Sequence, residues 1–192
     1  MDNLPELSLY VHLPWCDKKC PYCDFNITTD SLNDSVKELF NALKNDLDQS
    51  EQLINQRPFK SIYFGGGTPS KVPTSFIKDF LDFLHSKFKV VLNCEVSFEA
   101  NPIDLTSGYI AELKDSGINR LSVGIQSFDD RYLSSLGRNH NASDSLKALS
   151  LLSKSELIGT IDLIYGGPDS NSQTLKNDLE IFLDAGINHL FL

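Results

Sequence analysis

Positive charge is scarce in this chain: 17 Lys and Arg stand against 26 Asp and Glu in 192 residues, a formal net charge of −9. Neutralising nucleic-acid phosphates takes clustered cations, so a nucleic-acid surface is excluded and a small or organic partner is expected. Long apolar runs are missing as well. No stretch of about 18 apolar residues occurs, and the opening Met-Asp-Asn-Leu-Pro-Glu has neither the basic nor the apolar region of a secretory signal. The expectation is a cytoplasmic protein that is not an integral membrane protein. Cysteine is rare too, with four in the chain, and in a reducing compartment these are not expected to form a disulfide framework.

What is present is a core. Hydrophobic residues make up 41% of the chain and aromatics 10%, enough for one substantial domain. Short apolar, β-branched stretches recur at 7–13, 61–66, 93–100, 120–126, 160–166 and 189–192. Both of their faces read as largely apolar, which suggests buried parallel strands. Between them Val36, Leu39, Phe40, Leu43 and Leu47 mark a helical face, as do Phe76, Ile77, Phe80, Leu81 and Leu84. Tyr109, Ile110 and Leu113 begin a third, and Leu175, Leu179, Phe182 and Leu183 a late one. DSGINRLSV (115–123) and DAGINHLFL (184–192) echo each other, each with a helix end, a Gly suited to the position after it and a strand entry. The fold class is therefore α/β. A complete (β/α)₈ barrel uses roughly 31 residues per unit, so the expectation is a partial (β/α)₆ TIM-like barrel. The last strand stops at Leu192, which reads as a truncated chain or a fragment; a natural short protein whose last strand ends the sheet is the alternative.

Chemistry concentrates in LPWCDKKCPYCDFN (13–26), where Cys16, Cys20 and Cys23 form a C-x3-C-x2-C motif just after the first strand. That is the rim on which barrel folds carry their sites. Three thiolates suit a [4Fe–4S] cluster whose fourth iron lacks a protein ligand and is open to another molecule. A Cys₃His zinc site with His12 is the competing reading. Cys94, in the apolar run VVLNCEVSF, reads as a core residue. YFGGGTPS (63–70) follows the second strand, and its glycines allow close backbone approach, with N–H groups able to face a polar head. Glu99, Gln126 and Asp162 lie at or near the ends of three consecutive strands, on the rim of the cysteine loop, and fit a shared site.

Together LYVHLPWCDKKCPYCDF, YFGGGTPS, EANP, GINRLSVGIQSFDD, LGRNH and DLIYGGP resemble the radical S-adenosylmethionine (SAM) superfamily, in its coproporphyrinogen dehydrogenase-like group. The resemblance implies that residues 1–192 form a radical SAM core domain, without the C-terminal domain of the family. It implies a [4Fe–4S] cluster on Cys16, Cys20 and Cys23, with SAM chelating the open iron. Tyr10 would lie by the sulfonium, Tyr22 by the adenine, and Gly66, Gly67 and Thr68 by the methionyl amino group. Glu99, Gln126, Arg138 and Asp162 would complete the pocket, Arg138 on the carboxylate and Asp162 on the ribose. True coproporphyrinogen dehydrogenases carry one more cysteine where Phe25 stands here. The Cys-Asp-Phe ending is similar instead to the haem-chaperone branch, HemW, which implies haem or porphyrin as ligand and an apo-haemoprotein as acceptor. Oxygen-independent coproporphyrinogen dehydrogenation and a truncated, non-catalytic metal-binding module are the alternatives. His12, His140 and His189 are candidate haem ligands, each with a structural reading beside it, and His85 reads as a surface or boundary residue. Gly167 takes the place of a Leu common in relatives, which leaves the turn after the fifth strand open to revision.

Overall fold

The computed structural model describes residues 4–30, 32 and 34–192. Six strands, β1 (Leu7–Leu13), β2 (Phe59–Gly66), β3 (Val90–Ala100), β4 (Arg120–Gln126), β5 (Ile158–Leu163) and β6 (His189–Phe191), form one sheet in sequence order. Every pair is parallel. Helices α1 (Ser35–Gln49) and α2 (Glu51–Ile54) connect β1 to β2, α3 (Thr74–Lys87) leads to β3, and α4 (Ser107–Asp115) leads to β4. Next come α5 (Asp130–Ser135) and α6 (Ala142–Ser153) before β5, and α7 (Ser172–Asp184) before β6. The architecture is that of a partial (β/α)₆ TIM-like barrel. Among the described residues no helix is long and apolar enough to cross a membrane.

The strands are not apolar on both faces. Ile62 and Phe64 on β2, Val96 and Phe98 on β3, Leu121 and Val123 on β4, and Ile161 and Leu163 on β5 are buried. They alternate with Ser61, Tyr63, Glu95, Ser97, Glu99, Arg120, Ser122, Thr160 and Asp162. Successive residues of a strand point to opposite faces, and register places each set beside its own kind, as in Phe64 with Phe98 and Tyr63 with Ser97. Helices cover only the apolar face. Phe80 of α3 stands edge-on to Phe40 of α1 at 5.7 Å and to Phe64 at 6.1 Å between ring centroids, which ties two helices to the sheet. The opposite, polar face lines a cavity.

The helical faces read from sequence bury Val36, Phe40 and Leu47, then Ile77, Phe80, Leu81 and Leu84, then Ile110 and Leu113. Cys94 is buried among them. On α7 the buried residues are Thr174, Asp178 and Phe182, while Leu183 is exposed; the helix is rotated to seat a carboxylate, and Leu183 falls outside the stripe. Between β4 and β5, where no helical face was read, α6 buries Ser145, Ala148, Leu149 and Leu152 behind a capping box of Asn141 and Asp144. The fifth strand sits earlier than 160–166, because the chain leaves the sheet after Leu163 and turns at Gly166 with φ 82°.

The echoed turns share one device. Gly117 and Gly186 follow α4 and α7 with φ 99° and 70°. At the first, Ile118 N–H donates to Leu113 O and Gly117 N–H to Lys114 O, the paired bonds that close a helix on a left-handed residue. Truncating Phe64, which is fully buried, is expected to cost about 3–5 kcal/mol. Gly108→Ala, on an open face of α4 where a Cβ meets nothing closer than Thr106 Oγ1 at 3.9 Å, is expected to stabilise by roughly 0.5 kcal/mol. Urea denaturation of the two variants beside the parent checks both signs.

Candidate functional site

The cavity lies at the C-terminal ends of the strands and encloses about 610 Å³. Its rim starts with the cysteine loop. Cys16 N–H donates to Thr28 O and Thr28 N–H to Pro14 O, both at 2.9 Å, so the loop is pinched shut at its base. Gly67 N–H donates to Leu13 O at 2.8 Å and Thr68 N–H to Trp15 O at 2.7 Å, which stitches that base to the glycine segment. A Cβ on Gly67 would come within 2.6 Å of the Pro14 carbonyl carbon, and one on Gly66 within 2.6 Å of the His12 ring. The glycines are thus required first by the protein's own packing, Gly67 by backbone and Gly66 by the His12 side chain. Gly66 N–H meets Glu99 Oε2 at 3.3 Å. The N–H groups of Gly66, Gly67 and Thr68 are all spent internally, contrary to the expectation that they face a ligand head; an ammonium, which needs acceptors, is still compatible with the segment.

Cys16, Cys20, Cys23, Tyr22, Gly66, Gly67, Thr68, Glu99, Gln126, Arg138 and Asp162 all line this one cavity. Tyr10 stands beside it, stacked on Tyr63 at 6.1 Å. The Cys16 thiol lies 3.3 Å from Thr68 Oγ1. Arg138 spans the site, its Nη1 3.8 Å from Cys20 Sγ and 3.1 Å from Tyr22 OH, its Nη2 donating to Gly124 O at 3.2 Å. Its Nε is buried without a partner, a donor left over for an acceptor from outside the chain.

Burial pushes the Cys16 thiol up, with the neighbouring thiols Cys23 and Cys20 and Asp17 adding to the effect against the Thr68 hydrogen bond. Burial also raises Glu99, although Tyr63 OH at 2.6 Å, Gly66 N–H and His12 favour its charged form. Asp162 is raised to about 6 by burial and then by Glu99, while Ser122 Oγ, donating at 2.9 Å, and Arg138 oppose the rise. Tyr63 and Ser122 escaped the sequence reading. Their signal was present: both lie on the polar face, Ser122 in register with Glu99 and Tyr63 with Ser97, two residues before Glu99.

The histidines are engaged elsewhere. His12 Nε2–H donates to Asn26 O at 2.8 Å, and its Nδ1 lies 3.0 Å from Tyr10 OH, so it bridges strand and loop with both nitrogens. His140 is buried, its Nε2–H donates to Ile125 O at 2.9 Å, and burial followed by Arg138 lowers it to about 4. His85 is exposed on α3 with Nδ1 2.8 Å from Leu81 O. His189 is exposed on the edge strand. Gly167 has a physical reason, since a Cβ there would meet Tyr132 OH at 3.0 Å, and its N–H donates to that buried phenol.

Among the described residues no three His, Cys, Asp or Glu side chains converge on a single ion. A four-iron cluster does not ask them to, because each thiolate reaches a different iron. Three free cysteines on one cavity wall, with a guanidinium against one of them, fit such a cluster, since soft thiolates suit iron–sulfur centres.

A partial parallel barrel with a three-cysteine loop at the end of its first strand defines a class, and the family model described as the Radical SAM superfamily matches residues 10–182. The chain belongs to that superfamily, whose members imply a [4Fe–4S] cluster and SAM. It is 35% identical over 190 residues to "Heme chaperone HemW" of Buchnera aphidicola subsp. Acyrthosiphon pisum, covering 99% of this chain and 50% of that protein. To the Escherichia coli protein of the same name it is 35% identical over 193 residues, with 99% and 50% covered. It is 34% identical to mouse "Radical S-adenosyl methionine domain-containing protein 1, mitochondrial", covering 96% of this chain and 42% of the relative. The solved structure of Escherichia coli coproporphyrinogen III oxidase, a radical SAM enzyme, shares the fold with TM-score 0.84 at 24% identity, over 97% of this chain and 44% of that one. The chain spans about half the length of the curated relatives it matches.

The raised Asp162 has a sign. Its folded state holds a proton that the unfolded chain releases near the ordinary carboxylate value, so its contribution to stability is present at low pH and is lost as pH rises toward and through about 6. Asp162→Asn is expected to match the parent near pH 4 and to exceed it by up to roughly 3 kcal/mol at pH 8. Denaturation of both chains at the two pH values checks this, and equal stability at pH 8 contradicts it.

Proposed function

We propose that residues 1–192 act as a radical SAM core domain in which Cys16, Cys20 and Cys23 ligate a [4Fe–4S] cluster and SAM binds at the open iron. We propose further that the chain serves haem handling in the cytoplasm, taking up haem or a porphyrin and passing haem to an apo-haemoprotein, a reading supported by the name "Heme chaperone HemW" that relatives carry. The observation that carries the cofactor reading is the gathering of Cys16, Cys20, Cys23, Glu99, Asp162, Gln126 and Arg138 on a single cavity wall.

Cluster and SAM supply one-electron chemistry when bound. The chain's own groups bind and orient. Arg138 presents an unpaired Nε for a carboxylate, Glu99 offers an acceptor to the amino group, and Asp162 one to the ribose hydroxyls. Gly66, Gly67 and Thr68 bring their backbone close to the methionyl end, Gln126 contributes its amide, Tyr22 a face for the adenine, and Tyr10 stands near the sulfonium. The buried floor keeps water from this end of the cavity. Phe25 separates haem handling from coproporphyrinogen dehydrogenation: it lines the cavity, exposed, where the dehydrogenases carry a further cysteine.

Anaerobic reconstitution with iron and sulfide, then electron paramagnetic resonance of the dithionite-reduced chain, tests the reading. The expected result is a [4Fe–4S] signal that changes when SAM is added and is lost in Cys20→Ala. Hemin titration should then give a stoichiometric Soret band that moves to an added apo-haemoprotein. Zinc in place of iron, or a folded chain that takes up no cluster, overturns the cofactor reading. Porphyrinogen turnover without haem transfer replaces the haem reading with the dehydrogenase one.

A further inference from the structure

Gln126 ends β4 in an unusual way. Its φ is 66°, a region that side-chain-bearing residues other than Asn and Asp seldom occupy. Ser127 N–H donates back to Ile125 O at 2.9 Å, which makes Gln126 the centre of a three-residue turn. Such a conformation persists only where the surroundings over-determine it. Ile164 N–H holds Gln126 O at 2.9 Å, and His140 Nε2–H holds Ile125 O. Ser145 Oγ of α6 donates to Ser127 O at 3.2 Å, and a further hold comes from α7. Asp178 accepts from Ser127 Oγ at 2.7 Å and from Phe128 N–H at 2.8 Å, one carboxylate oxygen for each of the two residues after Gln126.

Asp178 is 3% exposed, on the helix face where Phe182, one turn on, packs into the core. A carboxylate buried there is costly unless its oxygens are used. Both are, and on the same turn. Asp178 has no ion pair among the described residues and does not line the cavity, so neither neutralisation of a charge nor ligand contact accounts for it.

We propose, on the reading of the cavity as a SAM site, that Asp178 is a positioning residue that clamps the turn from behind and so aims the Gln126 amide at the bound SAM. The full chain is tested with its cluster reconstituted. Asp178→Ala is expected to keep the parent's iron and sulfide content and reduced cluster signal, while the SAM concentration for half-maximal change of that signal rises roughly tenfold. Asp178→Asn, whose carbonyl can accept from Phe128 and whose NH₂ can donate to Ser127 Oγ, is expected to restore the parent midpoint. Ser127→Ala removes one of the two bonds and serves if Asp178→Ala does not fold, with a smaller rise expected.

A melting comparison reads the clamp without SAM. Glycine adopts a positive φ freely, so only Gln126 has strain to release when the clamp is lost, and Asp178→Ala, or Ser127→Ala in its place, should lower Tm more in a Gln126→Gly background than in the parent. An unchanged SAM midpoint, or a Tm loss that is equal in both backgrounds, overturns the inference. A parent chain that holds its cluster but does not respond to SAM overturns the SAM reading instead, and the melting comparison still decides whether Asp178 holds the turn.

Discussion

The site depends on the stitching of two backbone segments with no room between them. Gly67 and Thr68 donate to Leu13 and Trp15 across the ends of β1 and β2, and the space a Cβ would fill at Gly67 is taken by the carbonyls of Pro14 and Trp15. The three-cysteine loop leaves the barrel at this point. Because its base is fixed on both sides, by Thr28 within the loop and by the glycine segment across from it, the thiols are held over the cavity and not left on a free surface excursion. His12 fastens the far side of the loop through Asn26 O. A side chain that could pass for a metal ligand in the sequence is thereby an anchor in the structure.

The second constraint is the one-sided cover of the sheet. Parallel strands are normally buried on both faces, and short runs such as SIYFGG invite that reading. Here the helices lie on one face only, and the other carries Ser, Tyr, Glu, Arg and Asp in every second position. These polar side chains satisfy one another across neighbouring strands: Ser61 with Ser8 in register, Tyr63 with Glu99 and Ser122 with Asp162 each two residues beyond the register partner. A floor of paired polar groups is stable without a ligand and still presents acceptors toward the strand ends.

Much of this was legible in the sequence. The order of strands, the cysteine spacing, the glycine segment and the rim acids all follow from local pattern, because each is encoded within a few consecutive residues. What escaped depends on contacts across long separations. Serine-rich α6 shows its apolar stripe of Ala148, Leu149 and Leu152 only once the helix has a surface to lie on. Leu183 fits the stripe of α7 as well as Asp178 does not, and the choice between them is made by donors 50 residues away, at Ser127 and Phe128. The engagement of His140 with Ile125 O is hidden for the same reason: nothing near it in the chain announces a buried acceptor.

The charge of the cavity sets what can enter it. Glu99 and Asp162 are both half-buried, and burial, then the neighbouring Glu99, raises the cost of ionising Asp162. Arg138 offsets part of this but is shared with the Cys20 thiol and the Tyr22 hydroxyl. Lys18, Lys19, Arg120 and Asp17 also line the cavity, so the excess of negative charge is local, at the end where Glu99 acts on Asp162, in a region where the low dielectric magnifies each charge. On the proposed SAM reading, a ligand carrying both a sulfonium and an ammonium group would relieve that excess and bring its single carboxylate to Arg138. Ligand binding and ionisation of the two acids are then coupled: the cation lowers the cost of the charged acids, and the charged acids hold the cation.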